Sequence, residues 1–269
     1  MRKIIADADF DGICCSVLLK KLYPEAKIIL ATPQTIGQIE TTEEDIIADL
    51  PAPKGFKGTR YDHHKTEKIP RGVSKKTSSC AKLLLSVFPK LKPYKDIVMA
   101  ADRIDSGKFT KEMNTPEEQI SYSLNTGNGD KQHKQRIIKM LLAGQTLQQI
   151  ANNPLVTVRI EHKMAQVKKT IEALPSSTKK IYNTTFTTIT GQTYPSIIKE
   201  YYKTGTNYII TIKGELITIS RNPYKQGINL LQLTKPLGAQ GKPHKVYFKG
   251  DIQKMQLIME QIAIAEEEK

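Results

Sequence analysis

Lys3-Ile4-Ile5-Ala6-Asp7-Ala8-Asp9-Phe10-Asp11-Gly12 is a short apolar, β-prone run that ends in three acids at alternate positions. Alternate residues of an extended segment point the same way, so Asp7, Asp9 and Asp11 can converge on one point. Three carboxylates facing one another without a cation repel strongly, and a divalent ion is the natural resolution. A second run, Gly58-Thr59-Arg60-Tyr61, leads into Asp62-His63-His64. Acids and imidazoles at strand ends stand where an open α/β sheet has its binding crevice. Mixed imidazole and carboxylate donors suit a transition ion such as Mn²⁺ better than Ca²⁺.

Working outward, residues 13–22 read as a helix stopped by Pro24, and 27–31 as the next strand. Strand, helix and strand with a short return form a parallel unit. Residues 46–48 and 59–61 add two strands across a loop marked by Pro51, Pro53, Gly55 and Gly58. Helices are expected over 78–88 and 97–104, and the stretch from Thr115 to about Leu174 reads as wholly helical. Pro175-Ser176-Ser177-Thr178-Lys179-Lys180 is polar and turn-rich and is read as the domain linker. Beyond Ile181 the texture is β-rich: strands over 186–189, 208–212 and 216–220, a hairpin turn at Gly214, and helices over 195–202 and 252–265. The expected class is α/β. A parallel-sheet domain with helices on both faces and a helical extension spans 1–175, and a smaller mixed-sheet α/β domain spans 181–269.

The 269 residues are 39% hydrophobic, enough for a globular core, and carry a net charge of +14. That excess favours polyanionic partners such as nucleic acid. Cys14, Cys15 and Cys80 make neither a disulfide framework nor a zinc-finger spacing. Read as buried free thiols, they point to a reducing, cytoplasmic setting. No apolar run reaches about 18 residues, so no membrane span is expected, and the strand-first N-terminus reads as lacking a signal peptide.

Four separated segments resemble, in order, the motifs of the DHH phosphoesterase family, most closely its exonuclease- and nanoRNase-like branch. Asp7-Ala8-Asp9-Phe10-Asp11-Gly12 matches the family's His-x-Asp-x-Asp-Gly, with Asp7 in the histidine position. Ile46-Ile47-Ala48-Asp49 matches the lone Asp that ends a strand, Asp62-His63-His64 the name-giving tripeptide, and Ala100-Ala101-Asp102-Arg103-Ile104-Asp105 the fourth motif. The likeness is good over about the first 110 residues and loose beyond. It implies two divalent ions, Mn²⁺ first and Mg²⁺ second. Asp7 and Asp9 would hold one ion, Asp11 the other, and Asp49 would bridge both. His63 and Asp102 would complete the coordination of the second ion, His64 would face the substrate phosphate, and Asp62 would act as support. The carboxylate of Asp7 in place of imidazole hardens the site toward Mg²⁺ or Mn²⁺. Asp45 competes with Asp49 on proximity alone and reads as a surface helix or loop residue. Asp105 reads as a helix end or an Arg partner.

The family's C-terminal domain carries a Gly-rich loop with a His, so Gly238, Gly241 and His244 in Gly238-Ala239-Gln240-Gly241-Lys242-Pro243-His244 are its diverged counterpart. Arg221, after a strand, offers a planar fork to phosphate. His133 and His162 read as surface residues, and Tyr201, Tyr202 and Tyr208 as strand or core residues rather than base-stacking ones. The implied activity is hydrolysis of single-stranded nucleic acid, short oligonucleotides or dinucleotides. Phosphoanhydride hydrolysis of polyphosphate or pyrophosphate is the alternative, and a non-catalytic nucleic-acid-binding protein is the further one. No pattern in the chain indicates an oligomeric state.

Overall fold

The computed structural model describes residues 1–64, 69, 71–108, 115–124, 130–173, 176–190 and 195–268. The chain divides into two units, Met1–Lys163 and Met164–Lys269. In the first, strands β1 (Lys3–Asp7), β2 (Lys27–Ala31), β3 (Ile46–Ala48), β4 (Thr59–Asp62) and β5 (Gly72–Ser74) form one sheet in the order β2-β1-β3-β4-β5. Every neighbouring pair is parallel. The chain leaves β1 for β2 on one side and returns to β3 on the other. The strand ends between β1 and β3 are therefore the topological switch point, where open α/β sheets bind ligands.

The apolar strands are buried on both faces, as parallel strands are. Ile4, Ala6, Ile46 and Ala48 pack with Ile13, Val17 and Leu84 of helices α1 (Phe10–Leu22) and α2 (Cys80–Val87). Ile5 and Ile47 pack on the opposite side against Ile36 and Leu50, covered by the 3-10 turn Ile36–Gln38 and its flanking loops. Helices α3 (Lys95–Asp105), α4 (Pro116–Ser123), α5 (Asp130–Leu142), α6 (Leu147–Ala151) and α7 (Pro154–Ala173) follow. The run expected to be wholly helical is thus divided, with a turn at Gly144, whose φ of 80° suits glycine. Residues 125–129 and 174 of that run lie outside the described residues.

The second unit is a mixed sheet ordered β10-β11-β9-β8-β7-β6. Its strands are β6 (Ser176–Ile181), β7 (Thr184–Thr190), β8 (Tyr208–Lys213), β9 (Leu216–Arg221), β10 (Gln240–Lys242) and β11 (Lys245–Lys249). Among the described residues, only the β7–β8 pair is parallel. Helices α8 (Pro195–Lys203), α9 (Leu230–Thr234) and α10 (Ile252–Glu267) complete it. One sheet face packs Phe186, Tyr208, Ile210, Ile217, Val246 and Phe248 under Ile258, Met259 and Ile262 of α10. Ile189 and Ile209, on the opposite face, lie under Tyr201, Tyr202 and Val167.

The expected linker over 175–180 is corrected. Ser176–Ile181 is an edge strand paired antiparallel with β7, and Pro175 lies outside the described residues. Its residues are almost all exposed, so an edge strand of Ser, Thr and Lys carries no apolar alternation to read. Strands β5, β10 and β11 are further additions to the expected set, being short and placed among Gly, Pro and Lys.

Candidate metal centre

Gly12 lets α1 start immediately at the end of β1. A Cβ on it would lie 2.2 Å from the Asp7 carbonyl oxygen, so no other residue fits without moving the helix off the strand. Asp9 caps α1, its Oδ1 accepting the Gly12 N–H at 2.9 Å. Asp11 is fully buried and accepts the Cys80 and Ala81 N–H groups at 2.6 and 3.0 Å. The N-terminus of α2 is thereby tied to the first motif.

Asp49 directly follows β3 with φ 60°, a left-handed conformation that Asp and Asn tolerate better than most residues. Such backbone concentrates at functional sites. Asp62 ends β4. Its Oδ1 accepts the His64 backbone N–H at 3.1 Å and Nδ1–H at 2.8 Å, and its Oδ2 pairs with the Arg60 guanidinium. Burial alone would raise Asp62, but the bonds from His64 and Arg60 outweigh it and hold the carboxyl below its usual range. The bonded Nδ1 leaves the His64 ring's Nε2 edge to meet other groups; the side chain is 59% exposed.

His63 donates Nδ1–H to the Thr77 carbonyl at 3.1 Å, which fixes the ring and leaves Nε2 as the ligating atom. That Nε2 lies 3.3 Å from Asp49 Oδ1 and 3.3 Å from Asp105 Oδ2. These are ion-pair distances without hydrogen-bond alignment. Asp49 Oδ1 and His63 Nε2 are both buried and neither has a hydrogen-bond partner. Three sets of donor atoms converge within 4.8 Å: Asp7, Asp9 and Asp49; Asp49, His63 and His64; and Asp11, His63 and Asp105. Asp49 and His63 each belong to two sets, which is what two neighbouring cation positions require. Orphaned buried donors, a hard carboxylate-imidazole set and shared members all fit divalent ions of the Mn²⁺ or Mg²⁺ kind.

The electrostatics agree. Burial, reinforced by Asp9, pushes Asp7 up to about 6, with Lys134 of α5 among the groups opposing the rise. Burial pushes Asp11 up to about 7 despite its two backbone N–H partners. Burial raises Asp49 as well, and the Asp49 carboxyl beside it raises His63 against the opposing effect of burial. These shifts mark a cluster of carboxylates whose mutual repulsion and burial a bound cation would relieve.

A pH dependence follows. An acid whose folded pKa lies above its ordinary 3.8 contributes stability that is full below 3.8 and lost as pH rises through the folded value. His133 acts oppositely, pushed down to about 4 chiefly by burial, but only below its ordinary 6.5. Above that, Asp49 and His63, whose folded values both lie above that of Asp11, dominate, and each loses its contribution as pH rises toward its folded value. We expect the melting temperature of metal-free protein to fall between about pH 6.5 and 8, and a divalent ion to reverse the fall, since binding requires ionised carboxylates. Differential scanning fluorimetry with EDTA or Mn²⁺ across that range checks this. A metal-free melting temperature that rises over the window contradicts it.

Asp102 and Asp105 exchange emphasis. Asp102 is bound by Ser78 Oγ and by Lys82 Nζ at 3.3 Å, and belongs to none of the three donor sets. Asp105, one turn further along α3, faces His63 instead. The helical spacing of three residues is the only sequence signal that could have pointed to it. Asp45, expected at the surface, is fully buried and accepts the Lys3 and Thr42 N–H groups, a structural task. His133 is also buried, its Nε2 2.8 Å from Ser123 Oγ, because α4 supplies the partner. His162 is exposed.

In the second unit Arg221 donates Nη1–H to the Gly227 and Ile228 carbonyls at 2.7 and 3.0 Å, while its buried Nε has no hydrogen-bond partner. Gly238 ends a 3-10 turn with φ 78°, and Gly241 sits where a Cβ would meet the Lys245 carbonyl at 2.3 Å. His244 is exposed, and its pKa is lowered by partial burial and by Lys242, Arg221 and Lys245. Tyr201, Tyr202 and Tyr208 are buried.

This fold is shared with solved phosphodiesterase and exopolyphosphatase-related structures. Among solved structures, a pGpG-specific phosphodiesterase, PggH of Vibrio cholerae, matches over 100% of this chain and 99% of its own, with TM-score 0.69 and 19% identity. An exopolyphosphatase-related protein of Bacteroides fragilis matches over 98% and 91%, with TM-score 0.50 and 11% identity. RecJ of Thermus thermophilus, solved with Mn²⁺, covers 100% of this chain and 52% of its own at TM-score 0.47 and 11% identity, too distant to bear on residue roles. No family model and no curated protein matches the sequence.

Proposed function

We propose that this protein is a metal-dependent phosphodiesterase that hydrolyses short single-stranded oligonucleotides or dinucleotides with two divalent ions, Mn²⁺ or Mg²⁺. The sharing of Asp49 and His63 between donor sets is the observation that carries the reading. Asp7, Asp9 and Asp49 would hold one ion, and Asp11, Asp49, His63 and Asp105 the other. Bound there, the ions would activate a water nucleophile and neutralise charge on the attacked phosphoryl group. The chain's own residues supply the rest. Asp49 fixes the spacing of the two positions. Thr77 holds the His63 ring in register. Asp62 orients His64 so that its Nε2 edge meets a substrate oxygen. In the second unit Arg221, Gly238, Gly241 and His244 are proposed to hold a substrate phosphate, a role favoured by the lysines around His244.

The full-length likeness to a pGpG-specific phosphodiesterase makes a linear dinucleotide the first substrate to test. The exopolyphosphatase-related neighbour keeps phosphoanhydride hydrolysis as the second.

The two acids of α3 give a discriminating test. Asp105→Asn is expected to weaken Mn²⁺ binding at least tenfold and lower hydrolysis with it. Asp102→Asn is expected to change metal affinity by less than about threefold, because its carboxylate serves Ser78 and Lys82. Isothermal titration calorimetry of both variants reads this, and the reverse ranking would return Asp102 to the ligand set.

A further inference from the structure

We propose that the uncovered half of the second unit's sheet, centred on Tyr247, is a binding platform for single-stranded nucleic acid. This rests on the reading above and deepens it by naming what kind of polymer the protein holds.

The strand register builds the platform. Tyr247 pairs with Thr218 of β9 on one side and Gln240 of β10 on the other, and Thr218 pairs with Thr211 of β8. Lys249 pairs with Leu216, which pairs with Lys213, and Lys245 pairs with Ser220 and with Lys242. Paired residues project to the same side of a sheet, so these residues share one face in three rows. The alternating residues Ile217, Ile219, Val246 and Phe248 point the other way, into the core under α10.

Tyr201, Tyr202 and Val167 cover Ile189 and Ile209 on the same face. That cover ends at Ser220, which is buried. Past it the face is open: Lys213, Gln240, Lys242, Lys245 and Lys249 are exposed, and Leu216 and Tyr247 are 42% and 43% exposed.

Charge and chemistry choose the occupant. Strands β8, β9, β10 and β11 contain no Asp or Glu. Lys245 and Lys249 lie two residues either side of Tyr247 on its own strand and face, about 13 Å apart at strand rise. An exposed aromatic ring set between cations is the arrangement on which bases stack while lysines meet the backbone phosphates. Any base presents a π-face, so such a platform tolerates any sequence. An acidic peptide or a polyphosphate chain would use the lysines and leave the ring idle, which separates them from nucleic acid.

The test is fluorescence anisotropy of a labelled 12-nucleotide oligo(dT) or oligo(U) on full-length protein in EDTA, where hydrolysis cannot intervene. Tyr247→Ala is expected to weaken binding about tenfold, and Tyr247→Phe, which keeps the ring, to restore it. Lys245→Gln with Lys249→Gln is expected to weaken binding and flatten its salt dependence by about 1.4 in the log–log slope. Unlabelled polyphosphate, added as a competitor, is expected to bind the lysine variant more weakly than wild type and Tyr247→Ala equally well. Binding unaffected by Tyr247→Ala, or no metal-free binding at all, overturns the proposal. All three positions are exposed, and an unchanged melting temperature confirms the fold. Dinucleotide hydrolysis with Mn²⁺, measured separately on wild-type protein, tells the two readings apart. Hydrolysis with an inert Tyr247 face removes the platform alone, and Tyr247-dependent binding without hydrolysis removes the phosphodiesterase reading alone.

Discussion

Asp49→Asn is expected to lower metal-dependent hydrolysis on the order of 10³-fold while leaving the protein folded. Asn has the same shape and tolerates the left-handed backbone at φ 60°, so the turn after β3 survives. What is lost is one negative charge shared by two donor sets, and with it the means of holding two cations side by side. The metal-free variant should be no less stable than wild type, because a buried carboxylate raised by desolvation is replaced by a neutral amide. A rate assay with saturating Mn²⁺, paired with a thermal melt in EDTA, reads both. Hydrolysis above about a tenth of wild type would remove Asp49 from the centre of the site.

Gly12→Ala is expected to be comparably damaging by a different route. Its Cβ would sit 2.2 Å from the Asp7 carbonyl oxygen and 2.7 Å from the Asp7 Cα. Neither atom belongs to a side chain that can swing away, so α1 must shift off the end of β1. That shift costs about 3 kcal/mol as overpacking against backbone, or about 6–12 °C in melting temperature for a unit of this size. It also displaces Asp9 and Asp11, one capping the helix and the other tied to α2. Hydrolysis should fall even at temperatures where the variant remains folded. A Gly12→Ala protein with wild-type melting and rate would show that the helix start has room to spare.

The legibility of this chain follows from how local each signal is. The acids of the first motif, Asp49 and Asp62-His63-His64 stand at the ends of short apolar strands. The glycine that follows Asp11 is demanded by contacts a few residues away. Both are visible in the sequence. Asp105 is hidden because the turn of α3 that faces His63 is set by packing between helices, not by any local pattern. Asp45 and His133 read as surface residues because the partners that make their burial tolerable, the Lys3 N–H and Ser123, come from other elements of the fold. Strand β6 is hidden because an exposed edge needs no apolar face. Tyr201, Tyr202 and Tyr208 draw the eye as aromatic candidates, yet their burial depends on the sheet's packing. Tyr247 carries its own signal in the alternation Lys245-Val246-Tyr247-Phe248-Lys249, masked by the glycines and proline that precede it.

The most direct test of the central claim is hydrolysis by purified protein, with and without Mn²⁺ or Mg²⁺, of pGpG, labelled RNA and DNA ladders and polyphosphate. Asp49→Asn serves as the control for contaminating nuclease. The account predicts phosphodiester cleavage with mononucleotide release that needs a divalent ion and disappears in the variant. Phosphate release from polyphosphate alone, or no cleavage of any phosphodiester by metal-loaded protein, would contradict it.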